Sequence, residues 1–316
     1  MKIENRIRMM ASAPLMVRDG VAPSRVYLPH GNWQCLGDFL FERFPHVAKD
    51  DLCRRIEQGD VVNAEGQGIG LSDPYVSGQW LWYYREVPDE TPVPFDLPIL
   101  FQDDRLLVVD KPHFLASVPG GRYLKETALT RLRASLNLPL LTPVHRLDRE
   151  TAGVLMFCID PVYRGAYQAL FQSRSVAKTY EAIAPVRDDL QWPLTHRSRL
   201  SETEMHFTMR EVQGVSNSET CIDVLQRGTH RALYRLKPLT GRKHQLRVHM
   251  SALGLPLIND GFYPILQPYA DADDFSKPLQ LLARSLSFKD PVDGRLRSFI
   301  SERQLCLDSL NCPIVG

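Results

Sequence analysis

Over the first 30 residues the apolar positions follow neither a helical nor an alternating period, which predicts an irregular N-terminal arm. At Leu36 the pattern turns helical. Leu36, Phe39, Leu40 and Phe44 fall on one face, and Pro45 ends the segment. A second helix is predicted from about Ala48 to Gln58, with Leu52 and Ile56 buried and Gly59 as its stop. The stretch 61–66 then reads as a strand entering a turn. In the alternating run Gln79-Trp80-Leu81-Trp82-Tyr83-Tyr84, the side chains of Trp80, Trp82 and Tyr84 share one face. Pro88, Pro92, Pro94 and Pro98 crowd the next segment, which favours extended, semi-rigid backbone and predicts a linker.

Beyond the linker, strands are predicted at 105–112, 154–159, 178–184 and 231–237, with helices at about 124–136, 162–173 and 243–253. Strand and helix do not alternate as in dinucleotide-binding folds, and no Gly-x-Gly-x-x-Gly occurs. The expectation is an α+β domain on a mixed, largely antiparallel sheet, preceded by a small α/β domain. The predicted organisation is an arm at 1–30, a small domain of two helices then strands at 31–87, a Pro-rich linker at 88–98 and a large domain at 99–316.

Composition adds little to this organisation. A chain of 316 residues suits two domains, and 44% apolar with 24% charged residues is ordinary for a soluble globular protein. No window approaches the roughly 18 consecutive apolar residues that span a bilayer. The longest apolar run near the N-terminus, Met9 to Val17, is interrupted by Ser12 and Pro14, which argues against a secretory signal. Six cysteines (Cys35, Cys53, Cys158, Cys221, Cys306 and Cys312) are scattered without a Cys-x-x-Cys pair, and the nine histidines make no ligand spacing. Reduced thiols, a cytoplasmic location and no structural metal are expected.

Charge adds more. The net charge is only +1, yet residues 224–250 hold seven basic residues and no acid: Arg227, Arg231, Arg235, Lys237, Arg242, Lys243 and Arg247. Residues 163–180 repeat this more weakly, with Arg164, Arg174 and Lys178. Acids concentrate elsewhere, at Asp271, Asp273 and Asp274. Two acid-free basic windows in a neutral chain predict a localised surface for a polyanion.

Three segments hold residues suited to catalysis. In His145-Arg146-Leu147-Asp148-Arg149-Glu150-Thr151-Ala152-Gly153, one carboxylate lies between two guanidiniums ahead of an apolar strand. Nearby positive charge keeps such a carboxylate ionised, able to attack carbon, orient water or take a proton. The same pattern also suits a surface ion-pair network. In Ala177-Lys178-Thr179-Tyr180-Glu181-Ala182, period two points Lys178 and Tyr180 to one side of a strand, an ammonium beside a phenol. A tyrosine there also suits a core. In Leu239-Thr240-Gly241-Arg242-Lys243-His244-Gln245-Leu246-Arg247-Val248-His249, a break at Thr240-Gly241 precedes a helix. Leu246, His249, Met250 and Leu253 form its stripe, and Arg247 leaves on the flank, facing either inward or into solvent.

These segments, in this order, resemble the RluA-type family of RNA pseudouridine synthases. The family reads His-Arg-Leu-Asp followed by Thr-Ser-Gly, then Lys-x-Tyr, then Thr-Gly-Arg-x-His-Gln-Leu-Arg-x-His. Ala152 stands where the family has Ser, and in Leu255-Pro256-Leu257-Ile258-Asn259-Asp260 the residue Asn259 stands where Gly is usual. Asn tolerates positive φ, so the turn is expected to survive. Leu281 to Phe288, followed by Pro291, resembles the late strand that lines the site. The resemblance spans about Pro98 to Gly294.

It implies a pseudouridine synthase catalytic domain that isomerises uridine within RNA, with Asp148 essential, Arg247 ion-paired to it and Tyr180 in the active site. It further implies that Arg146 fills the gap left by a flipped nucleotide, with His145, Leu147, Lys178, Arg242, His244, Gln245 and Leu282 contacting substrate. The implied partner is structured RNA, ribosomal or transfer, and the implied protein is a monomer without cofactor, metal or membrane. The stretch Leu36 to Val87 resembles a small RNA-binding module found in ribosomal small-subunit proteins, but Asp50 and Asp51 depart from its basic character. Two alternatives stand: a non-catalytic RNA-binding protein of the same fold, and an aspartate-based hydrolase of a small substrate. The hydrolase leaves the basic windows unexplained.

Overall fold

The computed structural model describes residues 13–85, 90–267, 274–305 and 307. The first 12 residues of the expected arm, Pro88 of the linker, Asp271, Asp273, Cys306 and Cys312 lie outside the described residues. The chain forms two compact units. One holds the described residues up to 90 with 120–125 and 130–139; the other holds 91–119, 126–129 and those from 140 onward.

The first unit begins earlier than the pattern suggests. Within the stretch read as an irregular arm, β1 (Ser24–Tyr27) is a strand. Only Val26 of its four residues is buried, too little alternation to register in sequence. It pairs with β3 (Trp80–Tyr83), which also pairs with β2 (Val61–Val62), in the order β1-β3-β2. Between β1 and β2 run α1 (Leu36–Arg43) and α2 (Lys49–Glu57). Asp38 accepts a hydrogen bond from the Cys35 backbone N–H and so closes the first turn of α1. One face of each helix and one face of the sheet meet in a core of Leu36, Phe39, Leu40, Leu52, Ile56, Val61 and Leu81.

Residues 120–125 and 130–139, expected in the large domain, belong instead to this unit. The reason lies in backbone approach. Gly20, at φ +77°, lies so close to the Thr130 carbonyl that any Cβ there would collide with it. The Arg85 guanidinium donates to the Gly121 carbonyl, and Glu90 accepts from the backbone N–H groups of Leu124 and Lys125. Neither periodicity nor composition encodes such contacts.

The second unit is an 11-stranded, largely antiparallel sheet. Its first strands are β4 (Ile99–Gln102), β5 (Leu106–Lys111), β6 (Thr142–Pro143) and β7 (Ala152–Cys158). Then come β8 (Ala177–Pro185), β9 (Leu194–Glu202), β10 (Met209–Val212), β11 (Ser218–Arg227) and β12 (Arg231–Pro238). β13 (Leu281–Lys289) and β14 (Leu296–Ile300) complete it. The order is β10-β9-β11-β12-β8-β13-β7-β5-β4, with β14 on β13 and β6 on β7. Of the helices, α3 (Ala128–Leu136) is shared between the units, whereas α4 (Arg164–Gln172) and α5 (Gln245–Ala252) belong to this one.

β7 is buried along all seven residues, as its unbroken apolar run requires. It pairs in parallel with β13 through Ala152 and Gly153. Gly153 sits at φ +111°, and a side chain there would strike the Ala283 backbone. This glycine lets the two strands meet directly after the Asp148 loop. One core cluster gathers Tyr234, Leu246, Met250 and Leu281 beneath α5; another gathers Val108, Val154, Met156 and Tyr167 beside α4.

Candidate active site

A cleft of about 710 Å³ opens in the second unit between the β6–β7 loop, the end of α4, the start of β8 and the turn from β12 into α5. That volume falls within the roughly 300–1,000 Å³ typical of ligand pockets. Asp148, Tyr180, Lys178, Arg146, Arg242, His244 and Arg247 all line it. Residues from three separate segments therefore converge on one cavity.

The Asp148 loop is held from below. The Ser117 hydroxyl donates to the Leu147 carbonyl and accepts from its N–H, at 2.7 and 3.0 Å. The Lys111 ammonium, wholly buried at the end of β5, donates to the carbonyls of Pro112, Leu115 and Arg149 at 2.9, 2.7 and 3.1 Å. Burial pushes Lys111 down to about 7, against the pull of Glu150 and Asp148. The His113 ring meets the Glu150 carbonyl at 2.7 Å, and burial lowers it to about 4. The ring is therefore neutral and donates from Nδ1. His145 accepts from the Met156 N–H at 3.1 Å and stacks on Phe171 at 4.7 Å. Burial drives it to about 3, so it is a neutral support under the loop.

The cation that reaches Asp148 comes from α5. Arg247 places its Nη1 3.4 Å from Asp148 Oδ2. Its other donors clamp a second carboxylate, with Nε to Asp260 Oδ2 at 2.8 Å and Nη2 to Asp260 Oδ1 at 2.6 Å. Arg247 and the Asp260 side chain are 2% and 1% exposed, whereas the Asp148 side chain is 31% exposed. Asp260 also accepts from the backbone N–H groups of Phe262 and Tyr263. The rings of Phe262 and Tyr263 lie 4.7 and 5.5 Å from the guanidinium carbon. A fixed guanidinium thus faces a carboxylate that is open to the cleft.

This corrects one expectation. Arg149 does not serve Asp148 but pairs with Glu150 at 2.6 Å, and Arg146 is exposed. Asp148 has its ion pair with Arg247, and the His244 ring lies 3.8 Å away. Arg247 is ion-paired to Asp148 as the resemblance implies, while its bidentate contact goes to Asp260. Asp260 closes a motif already visible in sequence, ahead of which Asn259 adopts φ +62°. An acid at the end of an apolar stretch gives no sign of its partner.

The other predicted residues divide by what they touch. Burial and the Asp148 charge push the Tyr180 phenol well above its ordinary value, and its hydroxyl makes no hydrogen bond among the described residues. Lys178 donates to the Thr240 carbonyl at 3.2 Å, and burial together with Arg174 lowers its pKa. His244 adopts φ +52° ahead of α5, meets the Tyr263 hydroxyl at 2.9 Å and is lowered by burial. Gln245 is buried and fully occupied. It accepts from Thr240 and the Arg242 N–H and donates to Glu219 and Thr220, which fixes the turn. Leu282 is fully buried away from the cleft; its neighbour Leu281 lines it, because successive strand residues point to opposite faces.

The basic window is less exposed in space than in sequence. Arg227 pairs with Asp188, Arg235 with Asp223, Lys243 with Glu202 and Arg247 with Asp260. The cations left at the cleft are Arg146, Arg174, Lys178 and Arg242, and they come from both windows and the Asp148 loop. Sequence spacing showed no ligand set, yet His196, Glu211 and His249 bring donor atoms within 4.8 Å of one another. Those donors already serve each other and the fold. His196 meets Glu211 at 2.7 Å, and both His249 nitrogens meet hydroxyls, of Thr220 and of Ser218 and Ser198.

The family model described as RNA pseudouridylate synthase matches residues 105–252. A dual-specificity RNA pseudouridine synthase RluA of Vibrio vulnificus is 34% identical over 218 residues, covering 63% of this chain and 80% of that protein. A mitochondrial tRNA pseudouridine(32) synthase of Saccharomyces cerevisiae is 29% identical over 235 residues, covering 72% of this chain and 50% of that one. The solved structure of human RNA pseudouridylate synthase domain containing 1 aligns with a TM-score of 0.54 at 25% identity, covering 68% of this chain and 86% of that one.

Proposed function

The chain belongs to the RluA-type family of RNA pseudouridine synthases, and on that basis we propose how its residues divide the reaction. The isomerisation breaks the bond from N1 of uracil to the anomeric carbon. It then joins carbon 5 to that carbon, releasing the carbon 5 proton while N1 takes one up. Asp148 begins the reaction, by attack on or deprotonation of the ribose–uracil unit. Arg247 aims this carboxylate, because its guanidinium is already fixed by Asp260 and needs no reorganisation. Tyr180 stacks on the extruded base. With its phenol pushed upward it meets substrate protonated, so it can relay the carbon 5 proton by releasing its own as it accepts.

A uridine stacked in folded RNA must leave its helix to enter a cleft of this size. Arg146, exposed at the mouth, fills the space it leaves. Lys178 and Arg242 meet flanking phosphates, while His145, Leu147, His244 and Gln245 hold the walls. The observation that carries this reading is the contrast within one triad: Arg247 and Asp260 are buried, at 2% and 1% exposure, and the Asp148 carboxylate, at 31%, is the one open to the cleft.

The substrate we assign is a structured ribosomal or transfer RNA; the names of the chain's relatives support RNA in general and, for the yeast relative, transfer RNA. The protein acts as a cytoplasmic monomer. A reducing compartment agrees with the free thiols of the described cysteines. No helix among the described residues is long and apolar enough to cross a membrane. The test is tritium release from RNA labelled at carbon 5 of uridine, with bulk RNA from a strain lacking the gene as substrate. Release by wild type and none by Asp148→Asn, with RNA affinity kept within several-fold, supports the assignment. Equal release by the variant removes Asp148 from the mechanism, and binding without release by wild type favours a non-catalytic RNA-binding role.

A further inference from the structure

The first unit turns an unusual face to solvent. Antiparallel register sets Tyr27 opposite Trp80 and Arg25 opposite Trp82, so all four share one side of the β1–β3 ribbon. Val26, Leu81 and Tyr83 serve the core. The solvent-side rings are therefore not needed for packing. Tyr27 and Trp80 are 43% and 36% exposed, with ring centroids 5.1 Å apart. The Arg25 guanidinium lies 4.3 Å from the Trp80 ring and 5.6 Å from the Trp82 ring. Arg25 has no acidic partner among the described residues. Further along, Arg18 lies 3.9 Å from the Tyr84 ring.

We propose that this face binds unpaired nucleotides of the substrate RNA, stacking bases on Tyr27 and Trp80 while Arg25 engages the backbone phosphate. The proposal rests on the RNA substrate assigned to the active site and adds a second contact surface to it. Ring faces and a guanidinium plane in one array fit nucleobases, whose flat surfaces and adjoining phosphates need both at once. An aliphatic protein partner would need neither. The helices of the same unit are poor candidates, since Asp50 and Asp51 stand together at the start of α2 and Asp38 in the first turn of α1.

The test uses the full-length protein and a single-stranded uridine dodecamer, with a blunt RNA duplex as comparison, read by tryptophan fluorescence and by filter binding. Wild type is expected to prefer the single strand. Trp80→Ala and Tyr27→Ala should each weaken single-strand binding about fivefold or more, the usual range for loss of one stacking ring. Trp80→Phe, which keeps a ring and guards against misfolding, should retain affinity. Arg25→Lys should bind more weakly than wild type, because an ammonium meets phosphate as a point charge and lacks the two-pronged contact of the guanidinium. Unchanged affinity in Trp80→Ala, or equal affinity for duplex, overturns the proposal. So does a wild-type dimer in light scattering that Trp80→Ala converts to monomer, which would make the face a contact between two copies. Tritium release separates the two readings: a wild type that turns over RNA but ignores the dodecamer loses this surface and keeps its active site.

Discussion

Arg247 gives Asp260 two short hydrogen bonds and leaves Asp148 a single contact of 3.4 Å. Such an arrangement positions one carboxylate through another. Asp260 neutralises the guanidinium in the interior, so the buried charge is compensated whether or not substrate occupies Asp148.

Asp260→Asn should therefore harm both fold and rate. An Arg247 left without its buried carboxylate costs on the order of 3–5 kcal/mol, read by urea unfolding. The turnover number should fall tenfold or more under conditions where the variant is fully folded. Arg247→Lys should lose most activity, on the order of a hundredfold, because one ammonium cannot hold Asp260 bidentately and still face Asp148. A wild-type rate in Arg247→Lys would show that the planar fork is dispensable.

Tyr180→Phe keeps the ring and removes the hydroxyl. If the phenol relays a proton, the rate should fall by roughly 10²–10⁴ while RNA affinity changes little. An unaffected rate would leave Tyr180 with stacking alone.

Gly153→Ala tests the parallel contact that follows the catalytic loop. The new methyl group would meet the Ala283 backbone at a φ that L-residues rarely adopt. A stability loss of about 2 kcal/mol or more is expected in chemical denaturation. A variant as stable as wild type would mean that β7 and β13 can separate without cost.

Three buried histidines set an acid limit. Burial lowers His145 to about 3 and His113 and His249 to about 4, below the ordinary imidazole value near 6.5. Between those values the unfolded chain takes up protons that the folded chain refuses. Stability should thus be full above pH ~6.5 and fall as the pH drops towards 4, by about 1.4 kcal/mol per pH unit for each histidine. Thermal melts across that interval measure it, and a flat profile would mean that these rings protonate in place.

Features that local physics decides were legible along the chain. Period two put Lys178 and Tyr180 on one side of β8, and both line the cleft. The apolar run after Gly153 became a wholly buried strand, and the break at Thr240-Gly241 placed Arg247 on a helix. Ordered motifs identified the family. The pairings came only with folding. Asp148 found its cation 99 residues away, passing over Arg149 beside it, and that cation found Asp260. Four of the seven cations in the basic window met acids from other segments. β1 became a strand only because β3 lay beside it, and 120–125 joined the first unit through backbone approach near Gly20 and Arg85. Periodicity reports which side of an element is apolar. Charge partners and backbone approach depend on distances that exist only after the chain has folded.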